Sequence, residues 1–308
     1  ARNSPVVMAT SEKNIFARMF PEAKLKIINA LKAQGHIVAM TGDGVNDGPA
    51  LKAANIGIAM GNKGTEIAKQ SASLILVDDD LSKMVDAVAM GRKIYFNLKK
   101  AIQYIISIHI PIILTVFIPL VLGWVYPNIF TPVHVILLEL IMGPTCSIVY
   151  ENEPLEKDSM LQNPRPVSST FFNWNELFTS VIQGLAITAG VLAVYQIAIN
   201  TGANEAVTRT MVFLGLISAN IMLTFVNRSF VHSISETFKY KNNLVPIMVG
   251  LTISITLALL FIPLFTAFFG FERLEVGQMG ISIGVGMLSV LWYEIVKLWK
   301  RQQNVKNH

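Results

Sequence analysis

The sequence predicts an α/β lobe with a parallel sheet, followed by an all-α membrane domain of six transmembrane helices. Of the 308 residues only 15% are charged and 52% are hydrophobic, whereas soluble domains average about 25% charged residues. Residues 1–100 are rich in Lys, Asp and Gly, while residues 101–300 are mostly apolar. Strand and helix signals alternate only in the first part. This composition excludes a disordered chain, a collagen-like fibre and an ordinary single soluble domain.

The lobe contains alternating helix and strand signals. Apolar residues at helical spacing predict a helix over residues 22–32, and Gly35 follows where a helix C-cap belongs. A second helix is expected over residues 46–54. Three short apolar runs predict buried strands, at residues 36–40, 56–60 and 73–77. Such strands separated by helices favour a doubly wound parallel sheet. The lobe is small for that fold, so we expect further strands upstream of residue 1.

Six apolar stretches follow the lobe, each near the ~20 residues needed to cross a bilayer. They cover residues 105–125, 132–150, 177–199, 211–230, 244–265 and 279–298. Lys and Arg cluster before the first stretch, between the second and third, between the fourth and fifth, and after the last. The positive-inside rule therefore places the lobe and the C-terminus in the cytoplasm. The sequence has no Cys-rich element and no retrieval signal, which favours a bacterial plasma membrane.

The most specific motif is the run Thr-Gly-Asp-Gly-Val-Asn-Asp-Gly-Pro-Ala-Leu at residues 41–51. It follows a predicted strand and opens a predicted helix, which is the sheet edge where open α/β proteins bind ligands. Gly42 and Gly44 permit a tight turn and the close approach of a phosphate. The spacing predicts that Thr41, Gly42 and Gly44 form a phosphate-binding loop.

Several side chains in or near this loop have the chemistry of phosphoryl transfer. Asp43 and Asp47 supply hard oxygens suited to Mg²⁺, and Asn46 can donate to a phosphoryl oxygen. Lys24, on the helix before the strand, can offer a positive charge to a transferring phosphate. A solvated helix lysine, like Lys26, is the alternative interpretation of Lys24.

These residues resemble the P-type cation-transporting ATPases, closest to their calcium-pump and sodium/potassium-pump branch. The resemblance rests on Phe-Pro-Glu-Ala-Lys at 20–24, Met-Thr-Gly-Asp-Gly-Val-Asn-Asp at 40–47, Ala-Asn-Ile-Gly-Ile-Ala-Met-Gly at 54–61, and three Asp at 78–80. The six terminal spans agree with it. Gly48 departs from the family, which usually has Ala there.

The resemblance implies a haloacid-dehalogenase-like, Rossmann-like phosphorylation domain, of which residues 1–88 would be the C-terminal part. Residues 89–104 would form a stalk helix, residues 105–300 the membrane domain, and residues 301–308 a cytoplasmic tail. In the lobe, the family pattern implies that Asp43 binds Mg²⁺. It also implies that Lys24, Asn46 and Asp47 organise the phosphorylation site.

The same resemblance implies Mg²⁺ and ATP as cofactors. It implies the lipid bilayer, a transported cation and the N-terminal remainder of the same pump as partners, and no nucleic acid. The family's phosphorylated aspartate lies in an Asp-Lys-Thr-Gly sequence that these 308 residues do not contain. We therefore expect the C-terminal third of a pump, and we expect this chain alone not to hydrolyse ATP.

Polar residues within the predicted spans are candidates for an ion site, because polar groups in a bilayer are costly and usually functional. Glu139 lies mid-span before Gly-Pro-Thr at 143–145, where the helix is expected to unwind. A carboxylate beside a broken helix suits a cation. His109 lies near Pro111 in the first span, and Asn220 in the fourth could add an oxygen. A packing role is the alternative for each.

The cargo stays open, because the spans depart from the calcium pumps. Those pumps carry Asn and Glu where this sequence has His109 and Ile112, and Asn, Thr and Asp where it has Glu139, Met142 and Gly143. Calcium takes six to eight oxygen ligands, so two calcium sites are not expected. One calcium site, a proton, a monovalent cation or another divalent metal remain alternatives. A membrane-tethered dehalogenase-type phosphatase is a further alternative, which would leave Glu139 unexplained.

Overall fold

The computed structural model describes residues 5–144, 148–156, 158–165 and 170–306. Contacts divide the chain into two compact units, Ala1–Ala89 and Met90–His308.

The first unit is an α/β lobe built on a parallel sheet. Its helices are α1 (Pro5–Glu12), α2 (Pro21–Ala33), α3 (Gly48–Ala53) and α4 (Glu66–Ser71), and its strands are β1 (Ala39–Gly42), β2 (Ile56–Met60) and β3 (Leu74–Leu76). The strands pair in the order β1-β2-β3, all parallel. The predicted parallel α/β arrangement is therefore confirmed.

Local signals at both ends of α2 explain where this helix begins and ends. Pro21 occupies its first turn, where the missing N–H costs nothing. After the last turn Gly35 adopts a left-handed φ of 88°. Its N–H donates to the carbonyl of Lys32 at 3.0 Å, and the N–H of His36 donates to the carbonyl of Leu31 at 3.1 Å. These two bonds form a Schellman cap, and they confirm the C-cap predicted at Gly35.

The first strand begins later than the sequence predicts. The expected strand covers residues 36–40, whereas β1 begins at Ala39. Just before β1, the Asn55 side chain takes the place of a strand partner, because its Oδ1 accepts a hydrogen bond from the N–H of Val38 at 3.0 Å. The carbonyl of Val38 accepts from the N–H of Asn55 at 2.9 Å. A side chain therefore completes pairing that regular strand geometry would otherwise supply.

The second unit is helical in the part of the chain that the structure describes. Its helices are α5 (Lys83–Val121, beginning in the first unit), α6 (Pro132–Pro144), α7 (Trp174–Asn200), α8 (Glu205–Val226), α9 (Ile234–Thr237), α10 (Leu244–Phe261), α11 (Pro263–Phe269) and α12 (Val276–Lys306). A 3-10 turn at Ser159–Leu161 lies between α6 and α7.

Five of these helices, α5, α7, α8, α10 and α12, are long and apolar enough to cross a membrane in the described part of the chain. The stretch predicted over residues 132–150 contains the shorter apolar α6, and residues 145–147, including Thr145 of the expected unwound segment, lie outside the described residues. The stretch predicted over residues 244–265 is wrong as one helix. It divides between α10 and α11 because Pro263 has no N–H to continue the helix.

Helix α8 lies at the centre of the second unit and packs against α7 and α12. Small residues allow α8 and α12 to approach closely, since a Cβ added at Gly286 would lie 2.5 Å from the carbonyl oxygen of Gly215. Helix interfaces in membranes commonly use small residues in this way. The apolar core around them includes Val212, Phe213 and Leu216, all almost fully buried.

Candidate functional site

The predicted phosphate loop lies at the carboxyl end of β1. Thr41 and Gly42 end the strand, and Asp43 and Gly44 form the turn. A 3-10 turn, Val45–Asp47, and then α3 follow directly. The helix predicted over residues 46–54 is thus a 3-10 turn joined to a shorter α-helix.

The structure brings Lys24 and Asp47 together across 23 residues of sequence. Lys24 Nζ donates to Asp47 Oδ1 at 2.6 Å, and the N–H of Gly44 donates to Asp47 Oδ2 at 3.3 Å. Burial alone would raise the pKa of the Asp47 carboxyl, but the bonds from Lys24 and Gly44 outweigh it and hold that pKa below its ordinary value. Lys24 is therefore paired with the loop rather than being a purely solvated lysine.

Glycine at position 42 is explained by the packing of Asp47. A Cβ added at Gly42 would lie 2.7 Å from Asp47 Cβ and 3.0 Å from its Cγ, closer than real Cβ atoms come. At Gly48 an added Cβ would lie 3.2 Å from Ser71 Oγ and 3.4 Å from Ile67 Cγ2. Only the first position excludes a side chain outright, so Gly42 lets Asp47 fold back onto the strand end.

Asp43 and Asn46 present exposed side chains beside this pair. The carbonyl of Asp43 accepts from the N–H of Thr65 at 2.8 Å, which ties the loop to the start of α4. The described residues contain no group of three or more His, Cys, Asp or Glu side chains that could hold a metal ion. Mg²⁺ usually needs only one or two carboxylates, with phosphate and water completing its shell. The exposed carboxylate of Asp43 fits that requirement, since that of Asp47 is occupied by Lys24.

In the second unit the structure brings together His109 of α5 and Glu139 of α6. Nε2 of His109 lies 3.1 Å from Oε1 of Glu139, and both side chains are 40% exposed. The other ring nitrogen, Nδ1, lies 2.8 Å from the carbonyl oxygen of Ile105. Asn220 is engaged elsewhere, because its Oδ1 accepts a hydrogen bond from the hydroxyl of Tyr104.

Sequence reasoning missed a buried ion pair in the second unit. Glu153 is 0% exposed and Arg228 is 3% exposed, and Arg228 Nε donates to Glu153 Oε1 at 2.8 Å. Nδ2 of Asn242 donates to the same oxygen at 2.8 Å. The available signals were a Glu three residues after the apolar stretch at 132–150 and an Arg near the end of the apolar stretch at 211–230.

The connector after α6, residues 151–156, is also hydrogen-bonded to α5. Nδ2 of Asn97 donates to the carbonyl of Glu153 at 2.7 Å, and Lys100 Nζ donates to Glu156 Oε1 at 2.7 Å. Both α5 side chains are buried. The connector is thus held between α5 on one side and the segments flanking α8 and α10 on the other.

Comparison with known proteins decides the family. The C-terminal region of cation-transporting ATPases matches residues 127–299, and haloacid dehalogenase-like hydrolases match residues 5–55. The chain belongs to the cation-transporting ATPase family. The predicted resemblance and fold class are confirmed, and the apolar helices of this cation-transporting ATPase chain make it an integral membrane protein.

Three curated relatives of this ATPase chain are named calcium-transporting ATPases. Calcium-transporting ATPase 1 of Bacillus cereus is 31% identical over 94% of this chain and 34% of its own length. Calcium-transporting ATPase 1 of Lactococcus lactis is 33% identical over 92% of this chain and 32% of its own length. Calcium-transporting ATPase type 2C member 2 of Mus musculus is 31% identical over 94% and 30%. The chain spans about a third of the length of these relatives.

The candidate residues fall in different parts of the family matches. Lys24 and the loop at 41–47 fall within the hydrolase match, whereas Glu139 and Asn220 fall within the match to the C-terminal region. His109 lies between the two.

Proposed function

We propose that this chain is the C-terminal part of an ATP-driven pump that forms an aspartyl-phosphate and moves a cation across a membrane. The Lys24–Asp47 contact at the carboxyl end of β1 carries the proposal, because a lysine held on a loop carboxylate there is arranged for phosphoryl transfer. The names of the relatives support calcium as the cargo to test first.

The loop would act mainly by positioning and electrostatics. Asp43 would hold Mg²⁺, which supplies positive charge to the transferring phosphate. Lys24, fixed by Asp47, adds a second positive charge, and Asn46 donates to a phosphoryl oxygen. Thr41, Gly42 and Gly44 shape the turn that carries them.

The aspartate that accepts the phosphate would lie on a segment outside this sequence. In the described residues β1 pairs only with β2, and its other edge is open. A further parallel strand along that edge would end beside Asp43, because carboxyl ends of parallel strands meet at one edge of a sheet. ATP would bind in a nucleotide-binding domain, also outside this sequence.

The proposed domains follow one another along the sequence. Residues 1–88 belong to the phosphorylation domain, and residues 105–300 belong to the membrane domain with a tail at 301–308. The proposed stalk, residues 89–104, and the start of the first span lie on one helix, α5. Loop charges support a cytoplasmic lobe and C-terminus. A bacterial plasma membrane is the proposed location.

Within the membrane domain, His109 and Glu139 are the proposed ion-site residues, and Asn220 a more distant contributor. The contact of His109 with Glu139 places an ionisable pair in spans that are mostly apolar. A tethered phosphatase would not need this pair, which favours the pump.

The test is a cation screen of phosphoenzyme formation from ATP in the full-length protein. We expect calcium to trigger phosphorylation, and Glu139→Gln to need at least about tenfold more calcium, the effect of losing ~1.4 kcal/mol of binding. Glu275→Gln, at an exposed position before α12, is the matched control and should behave as wild type. The phosphatase would be favoured instead if the protein hydrolyses p-nitrophenyl phosphate and neither a cation nor a change of pH alters the amount of phosphoenzyme.

A further inference from the structure

The turns that follow the three strands of the lobe lie at one edge of the sheet. Because β1, β2 and β3 are parallel, their carboxyl ends all reach the edge that carries Asp43. Two motifs of the sequence end or begin there. They are the run at 54–61, which contains β2, and the three aspartates at 78–80, which follow β3. Both motifs therefore lie at the edge of the phosphate loop without being part of it.

The segment after β2, residues 61–64, is a tight turn that we call the β2 turn. The N–H of Gly61 donates to the carbonyl of Leu76 at 2.8 Å, and the N–H of Gly64 donates to the carbonyl of Met60 at 3.1 Å. A Cβ added at Gly61 would lie 2.7 Å from the carbonyl oxygen of Leu76, and one added at Gly64 would overlap the carbonyl oxygen of Met60. Both positions therefore require glycine, because the backbone passes too close for a side chain.

Asp79 holds the β2 turn through both oxygens of its carboxylate. Oδ1 accepts a hydrogen bond from the N–H of Asn62 at 2.9 Å, and Oδ2 accepts one from the N–H of Lys63 at 3.0 Å. Asp79 has a φ of 56°, a left-handed conformation that few residues with a Cβ adopt without a compensating contact. The next aspartate, Asp80, bonds to the hydroxyl and N–H of Ser82 within its own segment. The contact with the turn therefore belongs specifically to Asp79.

The far end of the β2 turn is hydrogen-bonded to the phosphate loop. The turn leads into Thr65, whose N–H donates to the carbonyl of Asp43 at 2.8 Å. Oγ1 of Thr65 also accepts from the N–H of Ala68 at 3.3 Å and caps α4. A continuous series of contacts thus runs from the carboxylate of Asp79, through the turn, to the backbone of Asp43. Movement of the turn would move the backbone from which the Asp43 side chain extends.

We propose that Asp79 is a positioning residue for the carboxylate of Asp43, and that it acts through the β2 turn and the N–H of Thr65. The proposal rests on the pump function proposed above, in which Asp43 holds Mg²⁺. The Asp43 side chain is exposed, so a fixed backbone is what limits the positions that its carboxylate can take. A group that is ordered before its ligand arrives loses less freedom on binding. Asp79 should therefore affect the Mg²⁺ requirement rather than the amount of phosphoenzyme at saturating Mg²⁺.

The first measurement is amide hydrogen exchange of the full-length protein by mass spectrometry, without Mg²⁺ or nucleotide. Asp79→Gly keeps the left-handed φ without strain and removes both hydrogen bonds to the turn. Exchange should become at least about tenfold faster over residues 62–65 and stay unchanged over residues 56–60, which shows that the sheet is intact. Asp78→Gly makes the same change at an exposed side chain one residue earlier, and its exchange should match that of wild type.

The second measurement is the Mg²⁺ concentration that gives half-maximal phosphoenzyme from inorganic phosphate, which avoids the binding of Mg²⁺ to ATP. Asp79→Gly should raise this concentration at least about fivefold, with the amount at saturating Mg²⁺ within about twofold of wild type. Asp79→Asn keeps one acceptor oxygen and should cause a smaller increase. Thr65 has a φ of −68°, which suits proline, so Thr65→Pro removes the N–H and should also raise the requirement. Thr65→Ala loses the same hydroxyl but keeps the N–H, and it should match wild type.

The outcomes separate the positioning role from the pump function. A wild-type protein that forms no phosphoenzyme from either ATP or inorganic phosphate contradicts the pump function, and amide exchange then still shows whether Asp79 holds the turn. The positioning role alone is overturned if Asp79→Gly leaves exchange over residues 62–65 unchanged, or speeds it without changing the Mg²⁺ requirement. It is also overturned if Thr65→Ala raises that requirement as much as Thr65→Pro does. If Asp79→Gly also speeds exchange over residues 56–60, Asp79→Asn replaces it in both comparisons.

Discussion

Replacing Lys24 with Met tests whether the contact between α2 and the loop organises phosphoryl transfer. The substitution keeps the apolar stem of the side chain and removes the ammonium that lies 2.6 Å from Asp47 Oδ1. Asp47 is 6% exposed and would keep the weaker bond from the N–H of Gly44 at 3.3 Å together with a backbone contact at Asp43. The carboxylate would then be free to turn or to take up a proton.

The size of the effect follows from this geometry. A hydrogen bond to a charged group contributes about 1.5–3 kcal/mol. The Lys24 side chain is 38% exposed, so solvent screening places the contact near the lower end of that range. A loss of about 1.5 kcal/mol corresponds to roughly a tenfold effect. We therefore expect Lys24→Met to slow phosphoenzyme formation by at least about tenfold, and more if the ammonium also touches the phosphate.

The assay is the initial rate of phosphoenzyme formation from ATP in the full-length protein. Lys26→Met is the matched control, because Lys26 is an exposed lysine on the same helix, and its rate should equal that of wild type. Lys24→Arg keeps the charge with a different shape and should recover part of the rate. A rate for Lys24→Met within twofold of wild type would refute the reasoning.

Three further predictions concern the packing at Gly42, the pKa of Asp47 and the ion pair of Arg228 with Glu153. Gly42→Ala should abolish phosphoenzyme formation by displacing Asp47, whereas Gly48→Ala, whose added Cβ meets only side chains at 3.2 Å or more, should stay within about twofold in the same rate assay. Because the folded-state pKa of Asp47 is lowered, its stabilisation is present above the unfolded pKa of about 4 and is lost as pH falls through the folded value. The melting temperature should therefore fall less steeply with acid in Asp47→Asn than in wild type. Arg228→Met leaves the carboxylate of Glu153 buried without an opposite charge, with Asn242 as its remaining donor, so it should cost about 3–5 kcal/mol of unfolding free energy, measured by denaturant titration, and adding Glu153→Gln should restore part of it.

Element types were predictable because periodicity and turn residues record them locally. β2 covers residues 56–60 as expected, and the cap at Gly35 follows from its position after an amphipathic run. Element ends were less predictable. β1 starts at Ala39 because the Asn55 side chain completes the pairing at Val38, and an amide bond of that kind leaves no periodic signal.

The candidate sites show the same difference between contacts that are local in sequence, which were predictable, and contacts that depend on packing, which were not. Residues of the loop at 41–47 are neighbours in sequence, so their pattern predicts their proximity. The contact of Lys24 with this loop depends on how α2 packs, and composition alone favours a solvated lysine at this position. Glu153 and Arg228 are 75 residues apart and both follow apolar stretches. Nothing periodic connects them, and only the packing of the helices brings them together.

The two glutamates of the second unit differ in exposure and in their partners. Glu153 is 0% exposed and lies against Arg228, which is 3% exposed, and Asn242 donates to the same carboxylate oxygen. Glu139 is 40% exposed, and so is its partner His109. A carboxylate that must exchange an ion has to be accessible to that ion, and of these two pairs only His109–Glu139 is accessible. This difference supports the proposed ion site at α5 and α6 and favours a structural role for the connector that follows them.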